Sequence, residues 1–244
     1  VYKRQIDRHV HVTGGGGEGS FHTRTPQIQL SSIIKAGITA VVGLLGTDDM
    51  SRTIEDLIAK IKGLKEEGIS AYAFCGAYGV PSPTITGSIK KDIAFIDEIL
   101  GLKLALSDHR APNISTDELI RLASDVRTAG MISGKCGCLV LHMGDGKKKL
   151  TPVFEALEET DLPVKIFQPT HINRNYDLFL DGIRLVKMGG TIDLTCEEFP
   201  QGQIEGIQDP MIGLLEEARR AGADMERITL SSDGQGSWSD YDEY

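Results

Sequence analysis

The stretch Ile6-Asp7-Arg8-His9-Val10-His11-Val12 reads as a β-strand that ends in two histidines. Residues i and i+2 on a strand point to one face, about 6.5–7 Å apart, so both imidazoles can converge on a single ion. The inside of an α/β barrel ordinarily takes Val, Ile or Leu at such positions. Two inward histidines at the C-terminal end of a strand are therefore better explained by a metal than by packing. A His-x-His pair also arises by chance on protein surfaces, so its weight depends on what ends the other strands.

Seven further apolar or β-branched runs follow: Ile38–Leu45, Ile69–Cys75, Leu102–Leu106, Cys138–His142, Val164–Gln168, Thr191–Thr195 and Arg227–Leu230. Between them lie helical patterns. In Thr53–Glu67 the residues Ile54, Leu57, Ile58, Ile61 and Leu64 keep a 3.6-residue stripe. Ser115 and Glu118 form a capping box before Leu119, Ile120, Ala123 and Val126. Gly68, Gly130 and the pair Gly189-Gly190 stand where helices should end. Strands alternating with helices predict parallel pairing and right-handed crossovers. Eight units of about 30 residues fill one (β/α)8 barrel of the TIM type, class α/β, with no room for a second domain. A doubly wound open sheet is the structural alternative that spacing leaves open.

Other strand ends carry metal-ligating chemistry. His142 ends the fifth run, His171 follows the sixth, and Asp233 follows the eighth. Barrel active sites are built at that mouth. Each residue alone reads equally well as a loop or helix-cap residue, but four such groups at four strand ends favour a metal site. Lys103 lies between Leu102 and Leu104 in the fourth run, where desolvation favours a neutral amine. A neutral amine can add carbon dioxide and become a carbamate able to bridge two divalent ions. The plainer reading is a strand-end lysine reaching for water.

The totals agree with a soluble enzyme-sized domain. A chain of 244 residues buries roughly 70–75% of its unfolded surface without staples. Hydrophobic content of 40% and charged content of 25% are ordinary for a globular protein. Net charge −9, from 26 basic and 35 acidic residues, argues against a nucleic-acid groove or an anionic membrane surface as partner. No apolar run reaches the roughly 18–20 residues of a membrane span. Cys75, Cys136, Cys138 and Cys196 fit no disulfide or zinc-knuckle spacing and read as reduced packing residues, which suits the cytoplasm. Val1–Gln5 matches one reading frame of a common sequencing adapter and is set aside as a library scar. Residues 6–244 are then expected to be a barrel domain, incomplete after the eighth strand, from a longer natural protein.

His9-x-His11, Lys103, His142, His171 and Asp233 together resemble the binuclear metal set of the amidohydrolase superfamily. The intervening segments are similar to the isoaspartyl (β-aspartyl) dipeptidase family from Ile6 to Ser237. They are GGGGE (Gly14–Glu18), VVGLLGTD (Val41–Asp48), GAY (Gly76–Tyr78), SDHR (Ser107–Arg110), HMGD (His142–Asp145), THINRN (Thr170–Asn175) and SSDGQGS (Ser231–Ser237). Two departures stand out: Gln5-Ile6-Asp7-Arg8 replaces the family's Pro-Gly-Phe lead-in, and neither half of its small β domain is present.

The resemblance implies two zinc ions, one held by His9, His11 and Asp233, the other by His142 and His171. Carboxylated Lys103 and a hydroxide would bridge them. It implies catalysis by Asp233, as proton carrier, and Tyr78, as oxyanion donor. It also implies a small isoaspartyl dipeptide as substrate, and a homo-oligomer in the full-length parent. Glu18 would meet the substrate ammonium, with Gly16, Gly17 and Thr47 nearby. Arg110, Arg174 and Ser237 would meet its carboxylates. The competing expectations are a cyclic-amide hydrolase of the same superfamily and a catalytically inactive metal-binding barrel. Glu18 separates the first of these, because an uncharged ring has no use for an anionic partner.

Overall fold

A computed structural model describes residues 5–196 and 210–236. Six strands form one parallel sheet in sequence order: β1 (Gln5–Val10), β2 (Ile38–Gly43), β3 (Ser70–Gly76), β4 (Ile99–Leu106), β5 (Cys138–Met143) and β6 (Phe167–Thr170). A second parallel pair, β7 (Ile192–Thr195) and β8 (Ile228–Ser231), completes the ring. β7 lies beside β6 and β8 beside β1. The β8–β1 seam is closed by a parallel bridge between Val10 and Gly234, with the His11 amide donating to the Gly234 carbonyl at 2.9 Å. At the β6–β7 seam a side chain replaces the ladder: the Asn173 amide donates to the Thr195 carbonyl and accepts from its N–H, both at 2.8 Å. Return of β8 to β1 decides for the barrel and against a doubly wound sheet.

The helices are α1 (Leu30–Lys35), α2 (Ile54–Glu66), α3 (Ile89–Phe95), α4 (Thr116–Ser133), α5 (Thr151–Glu159), α6 (Tyr176–Lys187) and α7 (Pro210–Arg220). α2 begins where the Thr53 hydroxyl accepts from the Asp56 amide, and it buries the five expected apolar residues. α4 begins with the expected capping box of Ser115 and Glu118. None of these helices is long and apolar enough to cross a membrane.

Most of the core lies between helices and sheet, for example Leu57, Ile61, Leu119, Val126, Leu139, Leu141 and Phe179. A smaller group, Val42, Leu44, Phe74, Cys138 and Val140, fills the ring. Cys138, Val140 and His142 are spaced two apart on β5 and so share that inner face. Lys103 on β4 pairs with Val140 and joins them. The strand alternation thus stacks apolar residues at the floor and ligating residues at the mouth.

Four expectations need correction. Gly130 does not end α4; the helix runs on to Ser133 and is capped by left-handed Gly134. Gly130 is small because a Cβ there would lie 2.5 Å from the Gly137 Cα. Val164–Ile166 is a tight turn, with the Ile166 amide donating to the Pro163 carbonyl at 3.0 Å, so the sixth strand starts only at Phe167. β1 stops at Val10, leaving His11 just beyond the strand. Of the cysteines, Cys75 and Cys138 are buried packing residues, but Cys136 and Cys196 are exposed.

Candidate metal centre and substrate cleft

Every expected ligand comes to the C-terminal mouth of the ring. His9 Nε2 lies 3.2 Å and His11 Nε2 3.1 Å from Asp233 Oδ1, and the ligand atoms of the three residues all fall within 4.8 Å of one another. Lys103 Nζ is 3.2 Å from His9 Nε2. The His171 ring is 4.9 Å from the His9 ring and 4.5 Å from the His142 ring, centre to centre. His171 and Asp233 both hold left-handed backbone, with φ of 60° and 51°, a conformation costing a non-glycine residue about 1–2 kcal/mol. The remaining histidines, His22 and His109, are exposed.

Electrostatics prepare the cluster for cations. Burial, then the nearby Lys103, pushes His9 down to about 3, and burial holds His142 and His171 well below the usual imidazole range. All three are neutral bases with lone pairs to give. Lys103 has no accessible surface, and burial pushes its amine down to about 7. Burial opposes ionisation of Asp233, but its surroundings, with His171 beside it and His11 and His9 in contact, hold the carboxylate well below its usual range. The buried His11 Nδ1 has no hydrogen-bond partner among the described residues. Neutral imidazoles, a neutral amine and one carboxylate converging in a buried ring form a donor set that fits divalent zinc.

Over the cluster lies a 70 Å³ cavity walled by His11, Gly16, Thr47, Tyr78, Arg110 and Arg174, among others. Larger hollows flank it, 450 Å³ beside Asp108 and Lys148 and 250 Å³ beside Glu18, but neither contains the ligating cluster. The Tyr78 phenol is 2.9 Å from His142 Nδ1, and burial raises its pKa, so it remains a hydrogen-bond donor. Arg110 Nη1 donates to Glu18 Oε2 at 2.6 Å, and the Thr47 hydroxyl donates to Glu18 Oε1 at 2.5 Å. Arg174 Nη1 reaches the Met143 carbonyl at 2.9 Å and His142 Nε2 at 3.2 Å.

The loop that carries Glu18 is fixed from beneath. Buried Arg52 donates to the carbonyls of Thr13, Gly15 (3.1 Å) and Thr25 (3.0 Å). Gly14 adopts φ of 82°, and a Cβ there would meet the Thr25 carbonyl at 2.2 Å, so only glycine lets the two strands of the loop approach. Gly16 lines the cleft. The Gly17 N–H donates to the Thr23 carbonyl at 3.2 Å, and Gly17 lines the hollow beside Glu18. Ser237 lies outside the described residues.

Across 96% of its length the chain is 43% identical to a β-aspartyl dipeptidase from Fervidobacterium islandicum AW-1 in complex with β-Asp-Leu, with a TM-score of 0.88. A second structure of that enzyme gives 44% identity over 95% and a TM-score of 0.87. The chain belongs to the β-aspartyl dipeptidase family. It spans 61% of the length of each of these two dipeptidases. An organophosphorus hydrolase from Deinococcus radiodurans shares the fold alone, at 16% identity and a TM-score of 0.61, covering 96% of this chain and 77% of that one. No protein-family model matches the chain.

Sequence reasoning passed over two residues at this site. Asp108 is 4% exposed and touches Arg110 and His142. The Thr195 hydroxyl is 2.6 Å from His171 Nδ1. Thr195 ends β7, so the strand-end argument applied to the histidines would have found it. Asp108 offered only an Asp-x-Arg spacing, which by itself describes any surface ion pair.

Proposed function

We propose that the chain hydrolyses isoaspartyl dipeptides with two zinc ions held at the mouth of its barrel. The observation that carries this reading is the pair Glu18 and Arg110, opposite charges 2.6 Å apart beside the buried ligand cluster. A β-aspartyl dipeptide carries an ammonium and two carboxylates around the bond to be cut, and such a guest needs both signs within a few ångströms. The Fervidobacterium relative was solved with β-Asp-Leu, which matches that charge pattern.

In this reading His9, His11 and Asp233 would hold one ion and His142 and His171 the other, with Lys103, as its carbon dioxide adduct, supplying a further carboxylate to both. The ions supply an activated water and a Lewis acid for the scissile carbonyl. Asp233 takes the proton of the attacking water and passes it to the leaving amine, so that the amide C–N bond breaks to aspartate and a free amino acid. The Tyr78 phenol donates to the oxygen that becomes anionic on attack. Glu18 pairs with the substrate ammonium. Arg110 and Arg174 pair with its carboxylates, as planar donors suit that geometry, while Gly16, Thr47 and Ser237 complete the aspartyl end.

The test compares β-Asp-Leu with α-Asp-Leu as substrates of the protein loaded with zinc and bicarbonate. The expected result is turnover of the β isomer alone, and a Glu18→Gln variant that keeps its zinc but loses turnover by orders of magnitude. Zinc-loaded protein that cleaves neither dipeptide but opens a cyclic amide such as dihydroorotate would overturn the substrate assignment.

A further inference from the structure

Asp108 is placed where the metal cluster and the arginines of the cleft meet. It lies two residues beyond β4, is 4% exposed, and is pressed against the chain after β5, where a Cβ on Gly144 would lie 2.4 Å from the Cβ and Oδ2 of Asp108. The carboxylate therefore has little freedom to turn. Oδ1 accepts from the Arg110 amide at 2.8 Å and from Arg110 Nε at 2.9 Å. Oδ2 accepts from Arg110 Nη2 at 2.7 Å, is 3.0 Å from His142 Nε2, and has Arg174 Nη1 at 3.8 Å. One rigid carboxylate thus touches a histidine of the metal cluster and both cationic side chains of the cleft.

We propose that Asp108 is a positioning residue that selects the nitrogen His142 presents to the metal and fixes the reach of Arg110 toward substrate. Around His142 Nε2 the Asp108 carboxylate is the nearest charged group at 3.0 Å, with Arg174 Nη1 at 3.2 Å and Arg110 Nη2 at 3.4 Å beside it. A carboxylate accepts only from a protonated ring nitrogen, so it draws the imidazole hydrogen to Nε2. The lone pair is left on Nδ1, where the Tyr78 phenol lies at 2.9 Å and a cation would take its place. His171 is held from the opposite side, its Nδ1 against Thr195. The two histidines are therefore oriented by different nitrogens, and each needs its own partner. On Arg110 the bracket occupies Nε and Nη2 and leaves Nη1, now on Glu18, as the nitrogen that turns to the substrate carboxylate. This role rests on the function proposed above only for its Arg110 half; the His142 half depends on metal binding alone.

Two variants separate positioning from simple structural support. Asp108→Asn keeps a carbonyl oxygen for the Nε2 hydrogen but offers Arg110 one acceptor in place of two. Asp108→Ala removes both contacts. Zinc affinity is read by competition with a chromophoric chelator, and KM and kcat are read with β-Asp-Leu. Asp108→Ala is expected to lose about 10–100-fold in zinc affinity, as oriented ligands do when their partner is removed. Asp108→Asn is expected to hold zinc within about threefold of the wild type while KM rises by about tenfold and kcat falls by less. Wild-type zinc affinity in Asp108→Ala overturns the His142 half, and an unchanged KM in Asp108→Asn overturns the Arg110 half. If Asp108→Ala does not fold, the Asn variant decides by its split between KM and kcat. If no form cleaves β-Asp-Leu, the functional reading falls separately and the zinc titration alone decides the role of Asp108.

Discussion

Lys103 is among the largest fully buried side chains of the described residues, and its amine sits against a histidine with no carboxylate in hydrogen-bond reach. A long ionisable chain is a poor core residue, since burying its charge costs several kcal/mol unless it is neutralised or paired. Packing alone would favour a methionine of similar length. Lys103→Met should therefore leave the melting temperature of metal-free protein unchanged or higher, by the equivalent of up to about 1–4 kcal/mol. Bound zinc, counted by elemental analysis, should fall. A variant with full zinc content would remove Lys103 from the metal centre. At this scale the ligand residues were legible because histidines at strand ends have few other uses. Asp108 and Thr195 were not, because Asp and Thr also cap helices, close turns and pair on surfaces, and only distances in three dimensions separate those roles.

Among the helices, Gly63 and Gly130 look alike in sequence, each inside an amphipathic stretch. A Cβ on Gly63 of α2 would meet nothing within 4 Å, whereas on Gly130 of α4 it would strike the backbone of Gly137 at 2.5 Å. Alanine favours a helix interior over glycine by about 0.5–1 kcal/mol. Gly63→Ala is thus expected to raise the midpoint of urea unfolding by about that free energy. Gly130→Ala should lower it by about 1–3 kcal/mol, the range for overpacking. Equal shifts of one sign in the two variants would mean that the Gly130–Gly137 approach does not constrain α4. Helix starts were readable because Thr53 and Ser115 act on residues three positions away. The end of α4 was misplaced because Gly130 serves a contact with Gly137, in the segment leading into β5, and not the helix end. The Val164–Ile166 turn was misread for a related reason: β-branched residues state a preference, and Pro163 overrode it.

The ring as a whole is unevenly fastened. Between β1 and β6 each strand is laddered to the next, but the seams on either side of the β7–β8 pair have one backbone bridge and are otherwise joined through side chains, among them Asn173 and Thr170 on one side and Arg8 and Asp7 on the other. Alternation of strands and helices revealed the barrel; the weakness of those seams left no trace in composition or spacing. The expected ligands come from β1, β4, β5 and from the segments after β6 and β8, so cations bound there tie both sides of both seams. An ion present at about 100 times its Kd adds about 2.7 kcal/mol to stability. For a chain of this size that corresponds to about 5–10 °C in melting temperature. Melting curves with zinc and with a chelator should differ by that much, and coincident curves would show that the ions do not favour the closed ring.

The Glu18–Arg110 contact makes the cleft its own competitor. Each residue is already paired, so a visitor that offers a single charge exchanges one ion pair for another and gains little. Only a molecule that brings both signs at the right separation can trade places with the pair without loss. On the function proposed above, discrimination against singly charged or blocked peptides follows from that pairing, as an exchange whose two halves must happen together.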